Sequence, residues 1–142
     1  MLLLALAVQL RTSRGILAGH DFRSEKGYWE YIGDLLEHRS DVLEISHNYG
    51  FRLEYFGWVS GGLWTDYSDP DLSEAIKQGL SSEAATSLRH RLESHSYLVV
   101  TILSELDANP SIKEFLYEIY PVFELGEDFV IFDLHPQIES ID

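Results

Sequence analysis

Few residues in this chain have the types and spacing that chemistry needs. His47-Asn48 follows directly on the run Val42-Leu43-Glu44-Ile45-Ser46, at the end of a strand, where α/β folds collect ligands. The pair reads either as a polar group in a cleft or as a turn and helix cap, a role Asn fills by accepting backbone N–H bonds. Asp66, Asp69, Asp71 and Glu74 crowd together, but their spacing matches no calcium loop, and Asp69 before Pro70 already reads as a helix cap. His90 and His95 stand five apart, which is neither of the spacings that place two ligands on one helix face. No metal site is therefore expected. His20-Asp21 and Glu25 precede the first helix, where a carboxylate complements the helix dipole.

Nucleotide-binding and hydrolase signatures are absent: there is no G-x-G-x-x-G, G-x-x-x-x-G-K-[ST], G-x-S-x-G or H-E-x-x-H, so no cofactor is expected and no catalytic residue is assigned. Gly61-Gly62 alone reads as a flexible turn. Lys and Arg number 10 against 24 Asp and Glu, a formal charge of −14. A field of that sign repels phosphate backbones, which argues against nucleic acid as a partner. With no cysteine, disulfide frameworks, thiolate nucleophiles and Cys-based zinc sites are excluded.

The elements that must position these residues follow from periodicity. With 142 residues, 45% of them hydrophobic, the chain has one domain's length and an ordinary globular composition. Trp29, Ile32, Leu35 and Leu36 form a helical stripe. A short strand at Val42–Ser46 follows, then a helix over Tyr49–Phe56 stopped by Gly57. A second strand is expected from Trp58-Val59, interrupted at Gly61-Gly62 and resumed at Leu63-Trp64. Helices are expected from Asp69-Pro70 (carrying Leu72, Ile76 and Leu80) and from Ser82-Glu83. Tyr97–Leu103 is continuous and β-branched, as a strand covered on both faces should be. Ser104–Leu106 turns away, a helix restarts at Asn109-Pro110, and Pro121 ends it. Two apolar runs joined by Gly126-Glu127-Asp128 complete a hairpin. Strands alternating with helices imply an α/β fold: a small three-layer sandwich with a mostly parallel sheet and a C-terminal antiparallel hairpin, preceded by an N-terminal helix.

Residues 1–20 stand apart from the soluble α/β domain expected over 21–142. Met1–Leu10 reads MLLLALAVQL, followed by Arg11 and Arg14. As a helix it would be about 15 Å long, half of a hydrocarbon core. The basic pair follows the apolar run, the reverse of a secretory signal. Two readings stand: the end of a transmembrane helix, or a helix packed on the domain.

Several segments resemble the C-terminal soluble region of multi-spanning bacterial membrane glycosyltransferases. They are Gly27-Tyr-Trp-Glu-Tyr-Ile-Gly33, Ser46-His-Asn-Tyr-Gly-Phe-Arg-Leu-Glu-Tyr-Phe-Gly-Trp58, Val99-Val-Thr-Ile-Leu-Ser-Glu-Leu-Asp107, Glu114-Phe-Leu-Tyr-Glu-Ile-Tyr-Pro121 and Glu127-Asp-Phe-Val-Ile-Phe-Asp-Leu134. The family is the polyprenyl-phosphate-sugar-dependent one related to protein O-mannosyltransferases (family 39). The resemblance covers nearly everything after residue 20, and Ser46–Trp58 is its most distinctive part. It implies an extracytoplasmic, membrane-associated domain beside a transmembrane portion, with a sugar or lipid-linked sugar as ligand. It also implies that Met1–Leu10 ends the preceding membrane helix, with Arg11 and Arg14 at the interface. In that family the catalytic acids lie in an early loop with no counterpart here, so this chain is expected to be inactive alone.

Ligand contacts are expected from His47, Asn48, Tyr49, Arg52, Trp58 and Trp64, whose aromatic members, with Tyr55, suit sugar faces; the other reading of Trp58 and Trp64, and the commoner one, is core. Arg52 has two readings, a phosphate contact and a surface ion pair. Two further functions stand beside the first: a freestanding α/β ligand-binding or interaction module, and a small hydrolase or transferase pairing His47 with Asp21 or Asp66 at hydrogen-bond distance.

Overall fold

In a computed structural model of the chain, the structure describes residues 23–68, 70–77 and 83–135. The elements are α1 (Arg23–Leu35), β1 (Val42–Ile45), a 3₁₀ turn (Asn48–Gly50), α2 (Phe51–Gly57), β2 (Gly61–Leu63), α3 (Pro70–Lys77), α4 (Glu83–Glu93), β3 (Tyr97–Val100), α5 (Leu103–Asp107), α6 (Pro110–Ile119), β4 (Val122–Leu125) and β5 (Val130–Asp133). The five strands lie in the order β2-β1-β3-β5-β4. β1 is parallel to both β2 and β3, while β5 runs antiparallel to β3 and β4.

Strand residues alternate between two cores because successive side chains leave opposite faces of a sheet. Val42, Val99 and Ile131 pack under Trp29 and Ile32 of α1, Leu36 just past its end, and Leu53 of α2. Leu43, Ile45, Leu98, Val100, Val130 and Phe132 face the other way, onto Leu72 of α3, Leu88 and Leu92 of α4, Leu106 of α5, and Ile112, Phe115 and Leu116 of α6. The result is the expected three-layer α/β sandwich, with parallel strands β2-β1-β3 at one side and an antiparallel hairpin at the other.

The helices α1 and α2 meet where Gly33 lies on Gly57. A Cβ on Gly33 would collide with the Gly57 carbonyl, and one on Gly57 would come within 2.8 Å of the Trp29 carbonyl. Side chains at these positions would force the two backbones apart.

Several boundaries differ from the sequence expectations for local reasons. The interrupted strand at Trp58–Trp64 is instead a three-residue strand centred on the glycines, because a Cβ at Gly61 would strike the carbonyl of Val42 on β1. β3 ends at Val100 rather than Leu103. Ile102 takes the N-cap position of α5, a short helix where a turn was expected at Ser104–Leu106. Pro110 does open α6, but Asn109 makes no capping bond and its Nδ2 donates instead to the Glu105 carbonyl at 2.8 Å. The run Met1–Leu10 and the N-terminal helix expected within residues 1–20 lie outside the described residues, as do Asp69 and Leu80. Among the described residues no helix is long and apolar enough to cross a membrane.

Candidate functional site

β1 and β3 are parallel neighbours whose following segments leave in opposite directions. The chain after β1 goes to α2, in the α1 layer, and the chain after β3 goes to α5 and α6, in the other layer. Diverging loops open a crevice at the carboxyl ends of the two strands, which is where open α/β sheets bind ligands. A cleft of about 380 Å³ lies there, lined by Glu25, Tyr28 and Trp29 of α1, His47, Arg52 of α2, Thr101 and Asp128 of the β4–β5 turn.

His47 enters the cleft because the strand ladder ends just before it, and Thr101 because its N–H extends the parallel ladder to the Ile45 carbonyl at 3.0 Å. Arg52 Nη1 pairs with Glu25 Oε2 at 2.7 Å, both side chains about three-quarters buried. This contact ties α2 to the first turn of α1 and neutralises both charges inside the cleft. The Tyr28 hydroxyl donates to the Asp128 carbonyl at 3.4 Å, a long and weak bond. Burial, reinforced by the Asp128 charge, pushes the Tyr28 phenol up to about 12, so it stays protonated and keeps its donor. The cleft therefore offers hydroxyl donors, carboxylate acceptors, an imidazole and the aromatic walls of Tyr28 and Trp29.

Between β1 and α2 the backbone turns through three consecutive residues of positive φ: Asn48 at 55°, Tyr49 at 58° and Gly50 at 73°. Asn tolerates this region and glycine prefers it, but a tyrosine there is strained. His47, not Asn48, occupies the cap position, without a capping side-chain bond.

Beneath this turn lies Glu44, which is 2% exposed. It follows Val42 on the α1–α2 face, and the carboxylate accepts a hydrogen bond from Ser46 Oγ at 3.1 Å. Burial pushes its carboxyl up to about 7; the Ser46 bond opposes that rise and the Glu54 charge adds to it.

Of the residues expected from sequence, the structure brings His47 and Arg52 together in the cleft, with Glu25. Asn48 and Tyr49 form the strained turn, Tyr49 being 85% exposed. Trp58 and Trp64 part company. Trp58 is 75% exposed just past the end of α2, whereas Trp64 is 1% exposed in the opposite layer. The ladder places it there: its N–H bonds to the Glu44 carbonyl at 2.8 Å, so Trp64 packs as core and does not reach the cleft. Asp66 is paired with Arg91 of α4 and is absent from the cleft lining, and Asp21 lies outside the described residues. His95 Nδ1 bonds to the Arg91 carbonyl at 2.9 Å. Among the described residues, no group of three or more His, Asp or Glu could hold a metal ion.

Tyr28, Thr101, Asp128 and Glu44 were not singled out from sequence. Thr101 and Asp128 carry no spacing signal, since topology alone brings them to the cleft. Glu44 did carry one: it is the lone charge inside a strand that is otherwise apolar. No family model, no curated protein and no solved structure matches this chain.

Proposed function

We propose that this chain is a non-catalytic binding domain acting on the extracytoplasmic side of a polyprenyl-phosphate-sugar-dependent membrane glycosyltransferase, helping to position sugar donor or acceptor. The observation that carries this reading is a coincidence of segments. Ser46–Trp58, the most distinctive stretch of the resemblance, is also the stretch that supplies His47 and Arg52 to the cleft between β1 and β3. The cleft's contents suit positioning rather than bond cleavage. Arg52 is paired there with Glu25, while hydroxyls, an imidazole and aromatic walls are the groups that recognise polyols. Met1–Leu10 would deliver the domain to the membrane, with Arg11 and Arg14 at its surface.

Membrane fractionation of the full chain beside one beginning at Asp21 tests this. The cut must precede Arg23, because α1 begins there and a cut at Gly27 would remove Glu25 from Arg52. The full chain is expected to pellet with membranes while the shorter chain stays soluble and folded. Equal solubility of the two removes the membrane-enzyme reading. It leaves a freestanding α/β ligand-binding module, which the cleft supports by itself.

A further inference from the structure

Away from the cleft, the outer surface of α1 and α2 carries two grooves of about 580 and 530 Å³ that meet at Trp58. The first is lined by Glu30, Asp34, His38, Phe56 and Trp58. The second shares Glu30, Phe56 and Trp58 and adds Lys26, Glu54 and Tyr55. Among the described residues every side chain lining these grooves is aromatic or ionisable, and none is aliphatic.

Trp58 is placed there at a cost to the fold. It occupies the residue just past α2 in a left-handed conformation, φ 54°, a position that glycine takes most readily. Its indole is 75% exposed, and Tyr55 one turn earlier is 73% exposed. Backbone and solvation energies both favour a smaller, polar residue, so what these rings offer lies outside the domain.

The groove chemistry selects the occupant. A formal charge of −14 disfavours an anion. Lys26 pairs with Glu30 at 3.0 Å and His38 contacts Asp34 at 3.3 Å, so two of the three carboxylates already have basic neighbours and a cationic ligand gains little. A lipid chain or an apolar helix would call for aliphatic walls. A pyranose ring presents an apolar C–H face and a rim of hydroxyl donors, matching aromatic faces bordered by carboxylate acceptors.

We propose that the grooves meeting at Trp58 bind a neutral glycan, one ring stacked on the indole and its hydroxyls donating to Glu30, Asp34 and Glu54. This site is separate from the cleft and stands whether or not the domain belongs to a membrane enzyme.

Trp64 is buried away from both sites and Trp29 lines the cleft, so the part of an emission shift that Trp58→Ala abolishes reports on the grooves. The full-length chain is titrated with neutral gluco-, manno- and galacto-oligosaccharides while tryptophan emission is followed. At least one series is expected to give a saturable shift in the millimolar range. Trp58→Ala should weaken binding by about tenfold or more, and Glu30→Gln by a smaller factor. Trp58→Gly should abolish binding yet raise the urea midpoint, since glycine relaxes the left-handed backbone; a merely structural tryptophan would lower it. The proposal is overturned if no series shifts the emission, or if binding survives Trp58→Ala. It is also overturned if phosphatidylcholine vesicles or an oligo-arginine peptide shift Trp58 while the glycans do not.

Discussion

The carboxylate of Glu44 lies directly against the α-carbon of Gly50: a Cβ at Gly50 would stand 2.7 Å from Glu44 Oε2. A buried acid at the end of β1 and the left-handed turn leading into α2 are thereby one packing unit. The same unit bears His47 into the cleft and starts the helix that carries Arg52. Changes on either side of this contact should reach the cleft without touching its lining.

Gly50→Ala tests the contact from the turn. Alanine at φ 73° is strained, and its methyl must displace the buried Glu44 carboxylate. A loss of about 1–3 kcal/mol is expected from urea unfolding. The combination with Glu44→Ala should recover part of that loss. Additive losses would show that the two residues do not press on one another.

Gly33→Ala tests the seat of α2 on α1. The added methyl meets the Gly57 backbone, which cannot swing aside as a side chain would. Overpacking of this kind costs about 1–3 kcal/mol. Because Glu25 and Arg52 sit on the two helices that must separate, their 2.7 Å pair should weaken as well. Arg52→Gln should then cost less in the Gly33→Ala background than in the parent chain, read from the same unfolding curves.

Much of this architecture was legible in the sequence, and the reasons are local. The stripe Trp29-Ile32-Leu36 and the apolar run Leu98-Val99-Val100 announce a helix over a doubly covered strand, and all six side chains are buried. Pro70 and Pro110 mark helix starts because their fixed φ suits a first turn. The glycines of β2 misled, since a glycine demanded by a neighbouring backbone looks the same in sequence as one demanded by a turn. The cleft was half legible. His47 and Arg52 are near in sequence, but Thr101 and Asp128 join them only through strand order, which no local pattern encodes. Trp58 and Trp64 looked alike as aromatic residues near strand ends. What separates them is the parity of the sheet and the end of a helix, which put one in solvent and the other in the core.

Among the described residues the buried indole N–H of Trp64 has no acceptor, so part of what its ring contributes is offset by a desolvated donor. Trp64→Phe removes that donor while filling most of the same space. The expected loss is under about 1.5 kcal/mol, against about 3–5 kcal/mol for Trp64→Ala. A large loss for phenylalanine in urea unfolding would mean that the N–H is satisfied in solution.

The pH dependence of stability should carry the signature of Glu44. Its carboxyl is pushed up to about 7 by burial, from an ordinary value of 4.5 that the unfolded chain restores. Between those values the folded protein holds a proton that the unfolded chain has released. Its contribution to stability is therefore full below pH 4.5, declines as pH rises, and is exhausted above pH 7. The total decline is on the order of 3 kcal/mol. Other carboxylates follow the opposite sense, as Asp41 does where the Ser96 hydroxyl and Arg39 hold it below its usual range. Glu44 must accordingly be isolated by difference. Glu44→Gln keeps the shape and an oxygen for the Ser46 hydroxyl but cannot ionise. The variant should match the parent near pH 4.5, exceed it progressively up to about pH 7, and keep a constant margin above that. Profiles that run parallel across that range would falsify a buried Glu44 that titrates above its ordinary value.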